Sequence, residues 1–255
     1  MHTKRTTIAW YTFLEALRNR LFLLTLTGLI CLFGIAEFAG ELAITETRQI
    51  QAVLVANITR WFLIITCTLF VITSMVRETN DKGLELILSL PVSRTSYYLG
   101  KFCGFLLLAL VILALSAPLL LIYSGPAVLA WWLLSLLCEI AIIIAVSMLC
   151  LFTFSNITVA FMVTLAFYIL SRSIEAIQLL SLSPILESDS YSQHFMNQLV
   201  ALIAWVLPDL SAFTRSDWLL YGIENNALVF VLIQTLVYLV LLFAAGLFDL
   251  YRKEL

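Results

Sequence analysis

Histidine and charged residues are scarce in this chain. Only 2 of its 255 residues are histidine, and 12% are charged, against roughly 25% in soluble domains. Because His2 and His194 are the only histidines, a histidine-built metal site and the His-Glu-x-x-His motif of metalloproteases are excluded. The sequence also has no Gly-x-x-x-x-Gly-Lys-Ser/Thr loop, so nucleotide binding through that loop is excluded as well.

The sulfur-containing residues form no motif. The 5 cysteines are an odd number, never occur as Cys-x-x-Cys and lie inside apolar runs, so we interpret them as small apolar residues. The methionines are scattered over different segments, which argues against a relay of thioether ligands for copper. We therefore predict no metal and no cofactor bound by this chain. The cysteines are Cys31, Cys67, Cys103, Cys138 and Cys150, and the methionines after Met1 are Met75, Met148, Met162 and Met196.

Apolar residues, by contrast, make up 62% of the sequence, with a mean hydropathy of +1.05. A body of this size cannot hide so much apolar surface from water, and a helix needs about 20 apolar residues to cross a bilayer. Uniformly apolar runs predict helices, since barrel strands would alternate. We predict an all-α polytopic membrane protein forming a single domain over residues 1–255. Its six transmembrane helices are expected at Leu21–Gly40, Val53–Val76, Phe102–Ser124, Val128–Phe154, Ile157–Leu180 and Ala227–Leu250.

Basic residues set the predicted orientation. A seventh apolar run, Phe195–Leu207, is too short to cross a bilayer and ends at Pro208, so we interpret it as re-entrant. With six spans and both termini in the cytoplasm, ten of the 14 lysines and arginines lie on cytoplasmic segments, as the positive-inside rule requires. The first apolar run follows a long amphipathic lead and is not expected to be a cleavable signal peptide. The net charge of -2 gives no indication of a nucleic-acid partner.

An amphipathic segment precedes the first span. Residues 3–20 place Trp10, Phe13 and Leu17 on one helical stripe and Thr12 on the other side. This pattern predicts a helix that lies in the membrane interface. It is either a plain basic anchor or an elbow helix that grips the bundle and moves with it.

Two longer segments connect predicted spans. Residues 77–101 start with charges, continue through the apolar stretch Leu84–Leu90 and stop at Pro91, after which Ser93 is placed to cap the next helix. We predict a short helix on the cytoplasmic face, with a helix lying flat on the lipid as the alternative. Residues 181–224 predict an outer hairpin that dips partway into the membrane, or else a cap that only seals the bundle.

Few charged residues lie inside the predicted spans. Glu139 is near mid-membrane, where an ionised side chain costs at least about 2.5 kcal/mol. It is either a protonated glutamate bonded to a neighbouring helix or a polar point on a path across the membrane. Arg172 and Glu175, three residues apart on one helix, predict a structural ion pair. Asn57 and Arg60 are expected to anchor one end of the second span at the interface.

The most specific motif follows the second span. Glu78, the stretch Lys-Gly-Leu-Glu-Leu-Ile-Leu-Ser-Leu-Pro-Val-Ser-Arg over 82–94 and Tyr-Leu-Gly-Lys-Phe over 98–102 together resemble the signature of ABC-2 type permeases. Those are membrane subunits of ATP-binding-cassette transporters. The six spans and the interrupted outer segment are similar to that family, in which the resemblance implies an outer gate at residues 181–224. Residues 207–213 resemble permeases grouped with copper-enzyme maturation. Leu84 departs from the threonine that the family often has there.

The resemblance implies that the membrane part of the transporter and the ATPase are separate chains. Two permeases, as a homodimer or a mixed pair, would assemble with two ABC-type ATPase subunits that hold ATP and Mg, and the loop after span two would be the coupling helix. This chain would be a non-enzymatic, multi-pass subunit of the bacterial inner membrane, surrounded by lipid, with an envelope accessory protein as a further candidate partner. The residues placed at the ATPase surface are Glu78, Gly83, Leu84, Glu85, Leu90, Pro91 and Arg94.

The leading function is therefore the transmembrane subunit of an ATP-driven exporter. The alternative is a self-powered secondary transporter or channel that uses Glu139, but the sequence has no inverted repeat of the kind such transporters carry. A lipid-modifying enzyme would need acidic residues clustered at one depth, and here they are dispersed. No residue of the sequence selects the substrate.

Overall fold

The computed structural model describes residues 2–42, 47–80, 93–154, 156–182, 191–223 and 226–252. These residues are almost entirely helical and contain no strand, which confirms the all-α prediction. A 3₁₀ turn at Leu210–Ala212 separates the seventh and eighth helices. The helices are α1 His2–Arg18, α2 Arg20–Leu42, α3 Thr47–Asn80, α4 Arg94–Leu121, α5 Pro126–Thr153, α6 Ile157–Leu182, α7 Tyr191–Val206, α8 Asp217–Tyr221 and α9 Ala227–Arg252.

Six of these helices are long and apolar enough to cross a membrane, namely α2, α3, α4, α5, α6 and α9, as predicted. The helices continue beyond several of the predicted apolar runs. α3, for example, begins at Thr47 and ends at Asn80, because polar residues at both ends of the run extend the same helix. Contacts between their ends show that the spans alternate in direction. We call the end of the bundle that holds α1 and the C-terminus the termini end, and the opposite end the far end.

α5 is the centre of the bundle. In its apolar window 78% of residues are buried, against 11% in α9. It packs against α3, α4, α6 and α9, and Trp132, Leu136 and Ile140 are completely buried on it. α2 and α9 therefore lie at the periphery, and their outward apolar faces suit contact with lipid chains.

α1 packs closely along α4. Ala9, Thr12 and Ala16 are buried on its contact face, whereas Trp10 is 55% exposed. The contact is close because α4 carries glycines at 100 and 104, where a Cβ would meet Ile8 and Thr12 at 2.9 and 2.7 Å. Thr12, which is not on the predicted apolar stripe, faces α4, whereas Trp10 of the stripe is exposed, so small residues make this contact.

This close contact gives a stability prediction. Replacing Gly104 with alanine places a Cβ 2.8 Å from the carbonyl oxygen of Ala9, so α1 and α4 must separate. We expect the free energy of unfolding to fall by about 1–3 kcal/mol, as in overpacked cores. Gly34→Ala is the matched control, because nothing lies within 4 Å of a Cβ at Gly34. Thermal unfolding in mild detergent measures both; equal midpoints would contradict the close packing.

The segment between α6 and α9 is bent. Residues 197–206 and 210–220 form two helical pieces at 63° to one another, and the break coincides with Pro208. The second piece turns inward, so that Leu210, Phe213 and Trp218 are buried. Thr214 has a φ of 44°, which is unusual for a β-branched residue. The bundle thus holds a stretch of irregular backbone between its far-end helices.

Tyr123 connects two helices at the far end, between α4 and α5. Its hydroxyl donates to Oε1 of Glu37 at 2.5 Å. Burial and this hydrogen-bonded carboxylate raise the pKa of Tyr123 to about 12. The phenol is therefore neutral at physiological pH and remains a hydrogen-bond donor between α2 and the end of α4.

Candidate functional site

The first turns of α4 hold a polar junction at the termini end. Ser93 caps this helix, as predicted: its Oγ accepts from the backbone N–H of Ser96 at 3.3 Å. The Oγ of Ser96 in turn accepts from Nε of Arg5 at 3.2 Å, which ties the start of α1 to the start of α4. α4 begins almost directly after residues 81–92, the segment that the sequence analysis predicts to couple to an ATPase.

A buried ion pair closes the base of the same loop. Nζ of Lys101 lies 2.5 Å from Oε2 of Glu78, with side chains only 5% and 11% exposed. Glu78 is in the last turn of α3 and Lys101 in the second turn of α4, so the pair joins the helix that enters the loop to the helix that leaves it. Such a pair is held firmly only while both charges are present, because either charge alone would be buried without a partner.

Arg94 joins the junction to α9. Its Nη1 donates to the carbonyl oxygens of Leu250 and Tyr251 at 2.7 and 3.2 Å, and the guanidinium lies 5.7 Å from the centre of the Tyr251 ring. A cation at a helix C-terminus is favoured by the helix dipole. One turn later, Tyr98 packs edge-on against Phe243 of α9. α4 therefore contacts α1, α3 and α9 at this end.

The structure describes only two of the seven residues predicted to couple to the ATPase. Glu78 and Arg94 occupy the two ends of the loop, as described above. Gly83, Leu84, Glu85, Leu90 and Pro91 lie outside the described residues. Lys101 belonged to the family-like motif but was not singled out as a site residue, and its burial against Glu78 is what distinguishes it.

A second polar cluster surrounds Glu139, which is completely buried near the midpoint of the 28-residue α5. Its carboxylate accepts from the hydroxyl groups of Tyr168 and Thr214 at 2.9 and 2.6 Å. Nη1 of Arg172 lies 3.6 Å from Oε1. The carboxyl group thus accepts two hydroxyl hydrogen bonds and lies beside one guanidinium group.

Arg172 reaches from α6 to the irregular backbone after α7. Its Nη1 donates to the carbonyl oxygen of Phe213 at 2.8 Å and to that of Leu210. The predicted ion pair with Glu175 is not formed. Glu175 instead accepts from the hydroxyl of Ser211 at 2.5 Å. The long arginine side chain turns inward because Glu139 and these carbonyl oxygens offer it acceptors in the bundle's interior.

Arg60 holds the same backbone from the opposite side. Its Nη1 donates to the carbonyl oxygen of Thr214 at 3.2 Å, and its Nη2 donates to Oδ1 of Asn57 at 2.7 Å. Asn57 in turn donates to Oγ of Ser216 at 3.1 Å. Asn57 and Arg60 were predicted to be interface anchors; instead Arg60 is buried, and both side chains bond to the segment that follows α7.

Thr214 is the common point of the cluster. Its N–H donates to Oγ of Ser135 at 3.1 Å, its carbonyl oxygen accepts from Arg60, and its hydroxyl donates to Glu139. In an apolar interior, irregular backbone needs such partners because no water replaces them. Nη1 of Arg172 also donates to the Thr214 hydroxyl at 3.4 Å, so three spans, α3, α5 and α6, provide the partners of one residue.

One comparison with known proteins connects these sites to a family. A family model described as ABC-2 family transporter protein matches residues 1–172, about two thirds of the chain. No curated protein matches the chain. The matched part includes the residues of α1, α3 and α4 that form the termini-end junction and the spans that carry Arg60, Glu139 and Arg172. It does not include α9 or the irregular backbone around Thr214.

Proposed function

Because the chain belongs to the ABC-2 family of transporter proteins, and is thus a membrane permease of an ATP-binding-cassette transporter, we propose that it serves an exporter. A separate ATPase would drive it through the loop after the second span. The observation that carries the proposal is the Glu78–Lys101 ion pair at the base of that loop. The ATPase subunit would hold ATP and Mg, because this sequence has no phosphate-binding loop of its own.

The contacts of the junction would transmit a displacement of the loop to several helices. The Glu78–Lys101 pair makes α3 and α4 move together, and Arg94 adds the end of α9 through the carbonyl oxygen of Leu250. Arg5 adds α1 through Ser96. Packed helices linked by polar contacts shift as units rather than bend. Closure of the ATPase would therefore be converted into a displacement of four helices at once.

Charge supports placing the termini end in the cytoplasm. Ten of the 14 lysines and arginines fall on the segments of that end, in accordance with the positive-inside rule. The ATPase would then dock from the cytoplasm of a bacterium, on the inner membrane. A second permease copy would complete the transporter, and the peripheral helices α2 and α9 leave apolar faces for it and for lipid.

Purification from the native membrane in mild detergent, followed by mass spectrometry, tests this function. We expect an ABC-type ATPase at about one copy per permease. Any further protein in the complex would identify an accessory partner. A pure homo-oligomer, reproduced in lipid nanodiscs, would contradict the proposal and favour a self-powered transporter in which Glu139 is the coupling residue.

Charge reversal in the loop gives a sharper test. Glu85→Arg is expected to lower the amount of co-purified ATPase at least about tenfold, because a reversed charge at a docking surface costs more than 1.4 kcal/mol. Pro91→Ala, which removes the helix stop, is expected to leave the ATPase bound but uncoupled. Arg215→Glu, an exposed charge reversal at the far end, is the control. Unchanged ATPase recovery with Glu85→Arg would reject the loop as the docking site.

A further inference from the structure

Arg60 is a buried cation without a charged partner. Its side chain on α3 is only 5% exposed, and among the described residues no carboxylate lies within ion-pair distance of it. A charge that is removed from water needs an opposite charge as well as hydrogen bonds, and an arginine does not lose its proton in proteins. We propose that the cluster around Arg60, between α3, α5 and α6, binds a small inorganic anion such as chloride.

The hydrogen-bond partners of Arg60 are neutral. Its Nη1 donates to the carbonyl oxygen of Thr214 and its Nη2 to Oδ1 of Asn57. These two oxygens accept hydrogen bonds but carry no full charge. The Nε of Arg60 is buried and has no hydrogen-bond partner within the part of the chain that the structure describes. An anion beside Nε would supply both the missing acceptor and the missing charge.

The carboxyl group of Glu139 does not balance both arginines of the cluster. It already accepts two hydroxyl hydrogen bonds and lies 3.6 Å from Nη1 of Arg172. Arg172 interacts electrostatically with Arg60 as well, so the two like charges are near one another. Asp209 attracts Arg172 more weakly, from a half-buried position. Two arginines and one ionised glutamate sum to +1, and protonation of Glu139 would only increase this excess.

Two further polar groups beside the cluster have no partner among the described residues. Trp132 and Ser171 are completely buried, and neither Nε1 of Trp132 nor Oγ of Ser171 makes a hydrogen bond. Trp132 lies one helical turn before Ser135, which accepts from the N–H of Thr214. Ser171 lies one turn after Tyr168, which donates to the buried glutamate. Residues one turn apart share a helix face, so both groups are on the faces that carry the cluster.

The chemistry of these atoms favours an anion over a metal cation or water. Nε of Arg60 and Nε1 of Trp132 can only donate, and the hydroxyl of Ser171 can donate as well. The two nitrogens have no free lone pair for a metal cation. A water molecule would accept from them but would bring no charge. A halide ion accepts several hydrogen bonds and also offsets the charge of Arg60.

A chloride titration of thermal stability tests the site in the purified, full-length permease. The protein is dialysed into potassium gluconate, whose anion is much larger, and chloride then replaces gluconate at constant ionic strength. Because a ligand that binds only the folded state stabilises it, we expect a saturable rise of at least about 3 °C in the unfolding midpoint. Equilibrium dialysis with radioactive chloride is expected to show a single bound ion per chain.

Three variants identify the residues that bind the ion. Arg60→Gln removes the unpaired charge and is expected to raise the Kd for chloride at least about tenfold. Trp132→Phe keeps an aromatic ring but removes the N–H, and a rise of about threefold or more is expected. Arg215→Gln, which removes an exposed cation from the segment after α7, is the matched control and is expected to bind chloride as the parent does. If Arg60→Gln does not fold, Trp132→Phe decides.

The outcomes separate a specific site from a general salt effect. Selective weakening in Arg60→Gln and Trp132→Phe supports the site. An equal chloride dependence in the parent and in every variant overturns it, because a salt effect on the whole protein would then explain the shift. A midpoint that ignores chloride, together with no bound ion in dialysis, overturns it as well. No ATPase takes part in these measurements, so their result is independent of the proposed function.

Discussion

Replacing Lys101 with methionine is expected to lower the free energy of unfolding by about 3–5 kcal/mol. The change leaves the Glu78 carboxylate buried without its counter-charge, and removing one partner of a buried ion pair costs that much. Both side chains are almost fully removed from solvent, with exposures of 5% and 11%, so water cannot compensate. Thermal or denaturant unfolding in mild detergent, followed by loss of the monodisperse elution peak, measures the effect.

Two control variants distinguish the free-energy cost of breaking the ion pair from the effect of removing any basic residue. Arg18→Met removes an exposed cation at the same end of the bundle and is expected to change stability by less than about 0.5 kcal/mol. The double variant Glu78→Gln with Lys101→Met leaves no buried charge and is expected to regain most of the lost stability. A Lys101→Met protein as stable as Arg18→Met would show that the pair is not a structural link.

The double variant also separates stability from coupling. It keeps both side chains in similar volume but removes the attraction that joins α3 to α4. If the ion pair transmits loop movement, this variant folds and binds the ATPase, yet export by the complex is lost. Normal export would mean that apolar packing alone carries the movement between the two helices.

The spans could be predicted from the sequence because bilayer thickness acts on local composition. A run of about 20 apolar residues is enough to predict a helix that crosses the bilayer. The structure has all six of the predicted helices. The helix cap at Ser93 and the helix break at Pro208 could also be predicted, because each depends on the chemistry of only one or two residues. The same reasoning placed Glu139 at mid-bundle.

The partners of the buried charges could not be predicted, because they come from distant parts of the chain. Arg60 and Thr214 are 154 residues apart, and helical spacing alone pointed Arg172 to Glu175, its neighbour three residues on. Arg172 bonds instead to the backbone carbonyl oxygens of Leu210 and Phe213, and no side-chain pattern in the sequence reveals such acceptors. A usable signal did exist for Arg60: an arginine inside an apolar run is by default a candidate functional residue.

Glu139→Gln is expected to lower the free energy of unfolding by about 2–4 kcal/mol, although glutamine has nearly the same shape. The sequence alone allowed a protonated glutamate, for which this substitution would be harmless. In the structure, however, the carboxylate faces Tyr168, Thr214 and Arg172 as donors. A glutamine would turn its own donor group toward one of them, and the buried guanidinium would lose its charged partner.

Glu175→Gln is the matched control for Glu139→Gln. It makes the same chemical change, but at an exposed residue that accepts from the hydroxyl of Ser211, so a loss below about 1 kcal/mol is expected. Unfolding in mild detergent compares the two variants directly. If both are equally stable, Glu139 is protonated and Arg172 is held by carbonyl oxygens alone. The irregular backbone around Thr214 would then be held by Arg60 and Arg172 without a contribution from the glutamate.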